Sequence, residues 1–112
     1  MQKFNYRAPR YVVDLPVRLT VEDSLVTGRC IEISREGMHV ELRQPLPSGF
    51  RGMVSLSWQE LTIELCARLA HATSRQAAMC FVFESEKERT ALAEFITRVT
   101  APRTPTALVL VR

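Results

Sequence analysis

Val13, Leu15, Val17, Leu19 and Val21 alternate with Asp14, Pro16, Arg18 and Thr20, and the same period of two returns five more times along the chain. Successive side chains of a strand point to opposite faces, so each run describes a ribbon with one apolar face and one wet face. The spacing predicts strands over Tyr11–Val21, Leu25–Ser34, Met38–Leu42, Gly52–Trp58, Leu61–His71 and Ala77–Glu84. Between them lie turn residues: Glu22-Asp23-Ser24, the loop Gln44-Pro45-Leu46-Pro47-Ser48-Gly49, Gln59-Glu60, and Ser74-Arg75. Pro16 cannot donate to a ladder, which predicts an edge strand or a bulge there, and the broken alternation around Gly28 predicts a second bulge. The period changes once. Ser85-Glu86-Lys87-Glu88 is a capping box, and Leu92, Phe95, Ile96 and Val99 then recur at helical spacing until Pro102 stops the run. Six short strands before a single helix predict a mainly β, antiparallel barrel or sandwich, with the helix over one end.

The charge is distributed unevenly. The first ten residues hold Lys3, Arg7 and Arg10 and no acid, whereas the rest of the chain balances, so the net charge of +3 resides in an N-terminal arm. Pro9 disfavours helix at Ala8 and keeps that arm extended. A short basic arm suits a small anionic ligand better than a long nucleic-acid track, and the strand faces carry no basic stripe or aromatic ladder for DNA or RNA. The three cysteines, Cys30, Cys66 and Cys80, each fall in an apolar run and form no C-x-x-C pair. They read as buried free thiols of a reducing compartment, and with His39 and His71 they lack the spacing of a metal site. No Ser/His/Asp constellation or phosphate-cradling Gly-rich loop points to an enzyme. No run is long or apolar enough for a signal peptide or a membrane span, and the expected location is cytoplasmic.

One stretch carries polar chemistry at a corner: Ile31-Glu32-Ile33-Ser34-Arg35-Glu36-Gly37. Alternation places Ile31 and Ile33 toward the core and Glu32 and Ser34 side by side on the open face. Gly37 is expected to end the turn at φ > 0. The arm and this corner are expected to meet and form an anion-binding site. Two plainer readings stand beside that one. Glu32 can be an exposed residue paired with Arg35 or Arg29, and Ser34 can be a turn former that caps its own backbone.

These residues give the chain a resemblance to the PilZ family of bacterial cyclic di-GMP receptors. That family is marked by an R-x-x-x-R in the arm and a D/N-x-S-x-x-G at the corner between the second and third strands. Arg10, followed by Tyr11-Val12-Val13-Asp14-Leu15-Pro16-Val17, is similar to the second arginine and its continuation into the first strand. Glu32-Ile33-Ser34-Arg35-Glu36-Gly37 is similar to the corner motif, with Ser34 and Gly37 in place. The departures are Tyr6, where the first arginine is expected four residues before Arg10, with Arg7 one residue late, and Glu32 in place of Asp or Asn.

The resemblance implies a six-stranded antiparallel β-barrel with one C-terminal α-helix. It divides the chain into a domain over residues 1–100, with the arm 1–10, the barrel 11–84 and the helix 85–100, and a tail over 101–112. It implies cyclic di-GMP as the ligand, with no cofactor, and Tyr6, Arg7, Arg10, Glu32, Ser34 and Gly37 as the residues around it. A guanidinium can grip a phosphate or the O6/N7 edge of guanine through two parallel bonds, and a carboxylate can accept from guanine N1–H and N2–H₂. The function implied is a signalling adaptor that acts on an effector protein in motility or biofilm regulation. The alternative is an interaction module of the same shape that no longer binds the nucleotide. The apolar run Ala107–Val111 has three candidate fates: an extra strand, a cover on the barrel, or a homodimer contact.

Overall fold

In the computed structural model, residues 8–101 are described; Tyr6, Arg7 and the tail from Pro102 onward lie outside them. The six strands are β1 (Tyr11–Val21), β2 (Ser24–Ile33), β3 (Gly37–Leu42), β4 (Arg51–Trp58), β5 (Leu61–Ala72) and β6 (Gln76–Val82), and the helix is α1 (Glu86–Thr100). The strands close into an antiparallel barrel in the order β1-β2-β3-β6-β5-β4. The expected ends hold to within one or two residues, the clearest difference being Ser34, which belongs to the corner and not to β2.

Closure follows from the alternation. Leu15, Val17 and Leu19 of β1, Val54 and Leu56 of β4, and Leu65 and Ala67 of β5 all point inward and are at most 2% exposed. Burying each large aliphatic side chain contributes about 1.5–3 kcal/mol, and a closed ring leaves neither a wet inner face nor a long unpaired edge. The joint between β1 and β4 is short, running only from Val17 to Leu19 against Val54 to Leu56. Two hairpins, β1–β2 and β4–β5, turn through two residues. Glu22 and Gln59 there have φ of 55° and 54°, the sign that matches the right-handed twist of the strands.

Both expected irregularities are displaced. Pro16 pairs with Arg29 inside a closed barrel, and the register of β1 on β2 shifts just before it, between Val12 and Leu15. Gly28 is in regular register; the shift in β2 lies between Cys30 and Glu32, where Ile31 has no partner on β3. Gly28 is needed for close approach instead, since a Cβ there would stand 2.2 Å from the Glu41 carbonyl oxygen.

The helix starts where the capping box predicts. The Ser85 hydroxyl accepts from the Glu88 N–H at 3.3 Å, and the Glu88 carboxylate accepts from the Glu84 N–H at 2.8 Å, one residue earlier than the usual reciprocal partner. α1 packs against β1 and β5 and delivers Leu92, Phe95 and Ile96 into the core. Leu92 is fully buried. Its replacement by alanine is expected to cost about 2–5 kcal/mol in urea unfolding, as for other large-to-small core changes. A loss below about 1 kcal/mol would show that the helix is not docked as described.

Candidate functional site

The bulge at Ile31 decides what the β2–β3 corner presents. Cys30 points inward and is fully buried, so unbroken alternation would turn Glu32 inward and Ile33 outward. One extra residue reverses the parity: Ile33 is buried at 2% exposure, Ile31 is half-buried, and Glu32 emerges on the outer wall. The expected inward pair Ile31 and Ile33 is therefore half right. Behind Glu32, the Cys30 thiol donates to the Glu32 carbonyl at 3.3 Å. Burial pushes this thiol from 9.0 up to about 12, and the charge of Glu32 adds to the rise. Cys30 is a neutral packing group, not a nucleophile.

Ser34 is not on the open face. It is 8% exposed, and its hydroxyl accepts from the backbone N–H groups of Glu36 at 3.0 Å and Gly37 at 3.2 Å. Its own N–H donates to the Gly37 carbonyl at 2.9 Å. The plainer of the two readings of Ser34 describes this geometry: the side chain closes the turn. Gly37 also has a different role from the expected one. Its φ is not positive; its Cβ would fall 2.2 Å from the Met79 carbonyl oxygen, so glycine is required for β3 to approach β6. One residue before it, the Glu36 carbonyl accepts from the Phe81 N–H at 2.9 Å and fastens the turn to β6.

Among the described residues, the arm meets the corner at Arg10. Arg10 immediately precedes β1, whose first residues Tyr11 and Val12 pair with Ile33 and Glu32. That register sets Arg10 Nη1 3.3 Å from Glu32 Oε1, with the two side chains 57% and 35% exposed. Glu32 pairs with neither Arg35 nor Arg29; the latter is held by Asp14 at 2.7 Å. An ion pair so exposed contributes only about 0–1 kcal/mol. Arg10 and Glu32 overhang a cleft of about 370 Å³ on the outside of the barrel, bounded by Ala8, the corner, and the outer faces of β3, β5 and β6.

The floor of the cleft was missed from the sequence. His39 on β3 lines it, with Ala70 on β5 and Ala78 and Cys80 on β6. Ala78 pairs with His39 and Cys80 with Gly37, so small side chains face the opening. His39 Nε2 lies 3.2 Å from the Gln76 side-chain oxygen, which holds the ring across the β3–β6 seam. The strand parity of β3 and β6 puts these residues on one outer face, but pairing β3 with β6 requires the barrel order, which local pattern does not carry. Among the described residues, no group of three or more His, Cys, Asp or Glu could hold a metal ion, and no helix is long and apolar enough to cross a membrane.

A closed six-stranded barrel with an outer cleft between a basic arm and a serine-closed corner defines a class of small binding domain. Residues 5–98 match the model of the PilZ domain, and the chain belongs to that family. Solved structures agree in fold. The PilZ domain of CeSA from a cellulose-synthesizing bacterium superposes with a TM-score of 0.66 at 17% identity, over 82% of this chain and 95% of that one. The PilZ domain of YcgR from Escherichia coli, solved with c-di-GMP, gives 0.72 at 17% identity, over 88% of this chain and 92% of that one. The inhibitor of motility MotI/DgrA of Bacillus subtilis gives 0.65 at 18% identity, over 88% of this chain and 51% of that longer one. No curated protein matches the chain in sequence.

Removing the Ser34 hydroxyl leaves two amide donors in the corner without their acceptor. Ser34→Ala is therefore expected to lower the unfolding free energy by about 1–3 kcal/mol. Denaturant titration with an unchanged m-value is the check, and wild-type stability in the variant would show that water replaces the hydroxyl at no cost.

Proposed function

We propose that the chain binds cyclic di-GMP in the cleft between the arm and the corner, and that binding regulates a partner protein. The observation that carries this reading is the Arg10–Glu32 pair standing over a cleft floored by His39 and the small side chains of Ala70, Ala78 and Cys80. A volume of about 370 Å³ lies in the range of small-molecule sites. Arg10 supplies a two-pronged donor for a phosphate or for guanine O6/N7, and Glu32 supplies an acceptor for guanine N1–H and N2–H₂. Their mutual bond is weak enough for a ligand to exchange it for stronger contacts. Ser34 and Gly37 act through the shape of the corner. Tyr6 and Arg7 stand four and three residues before Arg10 in the sequence and belong to the proposed site, Arg7 as a candidate for the missing arginine and Tyr6 as a candidate to stack on a base.

Ligand held between the arm and the corner would alter the surface that a partner meets, which is how a binding domain can pass on a signal. The family membership and the c-di-GMP held by the YcgR domain favour the nucleotide reading. Tyr6 in the arginine position and the longer Glu32 favour the second reading, an interaction module without the nucleotide.

Calorimetry separates the two. Arg10→Ala is expected to weaken cyclic di-GMP binding by about 1–3 kcal/mol, the cost of one bidentate contact. Equal affinity in the variant would place the site elsewhere, and a wild type silent at millimolar ligand would establish the interaction module.

The departures from the family motifs provide a gain-of-function test. Tyr6→Arg restores the spacing of four, and Glu32→Asp removes one methylene and one rotatable bond from the acceptor. The double variant is expected to bind at least about tenfold more tightly, or about 1.4 kcal/mol, with a gain that shrinks as salt rises. A folded double variant that binds no better leaves two explanations, and Arg7→Ala in the wild-type background separates them. Binding lost in that variant shows that Arg7 already fills the arginine role.

A further inference from the structure

A second cleft lies on the outer wall of the barrel, toward the far end of β3, and shares no lining residue with the first. It measures about 530 Å³, and Arg29, Arg43 and Arg75 surround it with Glu41 and Gln76. Arg43 follows the end of β3 and Arg75 precedes the start of β6. The Leu42 N–H donates to the Arg75 carbonyl at 2.8 Å, so the two arginines spring from backbone that is locked side by side. Both are exposed, and neither forms an ion pair among the described residues. Gly28, opposite Leu42, contributes no side chain to the cleft wall.

We propose that this cleft docks an acidic peptide segment of a partner protein. Two free guanidiniums on a rigid base call for carboxylates, which they can grip in pairs of parallel bonds. The rim is not uniformly basic. Glu41 accepts from the Gln76 amide at 3.3 Å, and Asp14 holds Arg29 at 2.7 Å. A polypeptide matches both signs of the rim, its side-chain acids meeting Arg43 and Arg75 and its backbone N–H groups meeting Glu41. The chain's own ends do not suit the cleft. Residues 1–7 contain Lys3 and Arg7, residues 102–112 contain Arg103 and Arg112, and neither segment has an acidic side chain. Neither of these two segments supplies an acidic peptide, and the proposal does not depend on nucleotide binding in the first cleft.

The test is fluorescence anisotropy of the full chain with fluorescein-labelled hexaglutamate at low salt. Saturable binding is expected, weakened at least about tenfold by Arg43→Glu/Arg75→Glu and changed less than about twofold by Arg10→Ala. Thermal unfolding controls for folding, and Arg43→Gln/Arg75→Gln, expected to weaken binding in the same direction, replaces the reversal if that variant does not fold. Binding that survives the changes at Arg43 and Arg75, or no saturable binding at all, overturns the proposal. So does tighter binding of an oligothymidylate of matched charge that displaces the peptide, which would assign the cleft to nucleic acid.

Discussion

The corner between β2 and β3 depends on a single hydroxyl oxygen. Ser34 Oγ takes two backbone N–H groups and closes the turn together with the bond from its own N–H to the Gly37 carbonyl. The closed turn aims the Glu36 carbonyl at Phe81, which brings β6 against β3 at the point where only a glycine allows the approach. The contact extends the β3–β6 ladder, which runs from Gly37 to Glu41 and is, with the β1–β4 joint, one of the two seams that complete the ring. The serine and glycine are at once the structural clasp of the barrel and the wall of its cleft, so a change at either acts on fold and site together.

Much of this was legible in the chain before any coordinates. Period-two alternation in β1, β4 and β6 states which residues face inward, and the capping box at Ser85 states where the helix begins. The arm and the corner were also visible, because charge without acid and a polar pair beside a glycine are local features. What escaped is what depends on counting across strands. The alternation near Ile31 fits two registers, and only the partner strands choose between them. Ile31 departs from the inward face for that reason, whereas Ser34 is buried because the chain leaves β2 at Ile33 and folds its hydroxyl into the corner, and Gly37 is required by Met79 across the seam. The cleft floor joins His39 of β3 to Ala70, Ala78 and Cys80 of the β5–β6 hairpin, which the chain order keeps apart from β3.

The energetics of the first cleft differ from those of the core beneath it. Each buried aliphatic side chain contributes more than the Arg10–Glu32 pair, which stands largely in water and is screened by salt. The barrel therefore holds its shape regardless of what happens between those two charges. Under the proposed nucleotide binding, a ligand would gain from the rigid walls and give up little by displacing the Arg10–Glu32 pair. The second cleft follows the same division, with exposed guanidiniums carried on backbone that the barrel fixes.

The unpaired residue at position 31 gives the outer site an unusual form of inheritance. Glu32 reaches the surface because of how many residues precede it, not because of what they are. Point substitutions along β2 leave that count intact, so the site can tolerate wide drift in neighbouring side chains and still present its carboxylate outward. Loss or gain of a single codon before Glu32 would turn the carboxylate into the apolar interior while leaving every motif letter in place. A pattern scored on residue identity alone would still find the motif in such a chain, although the surface that the motif describes would be gone.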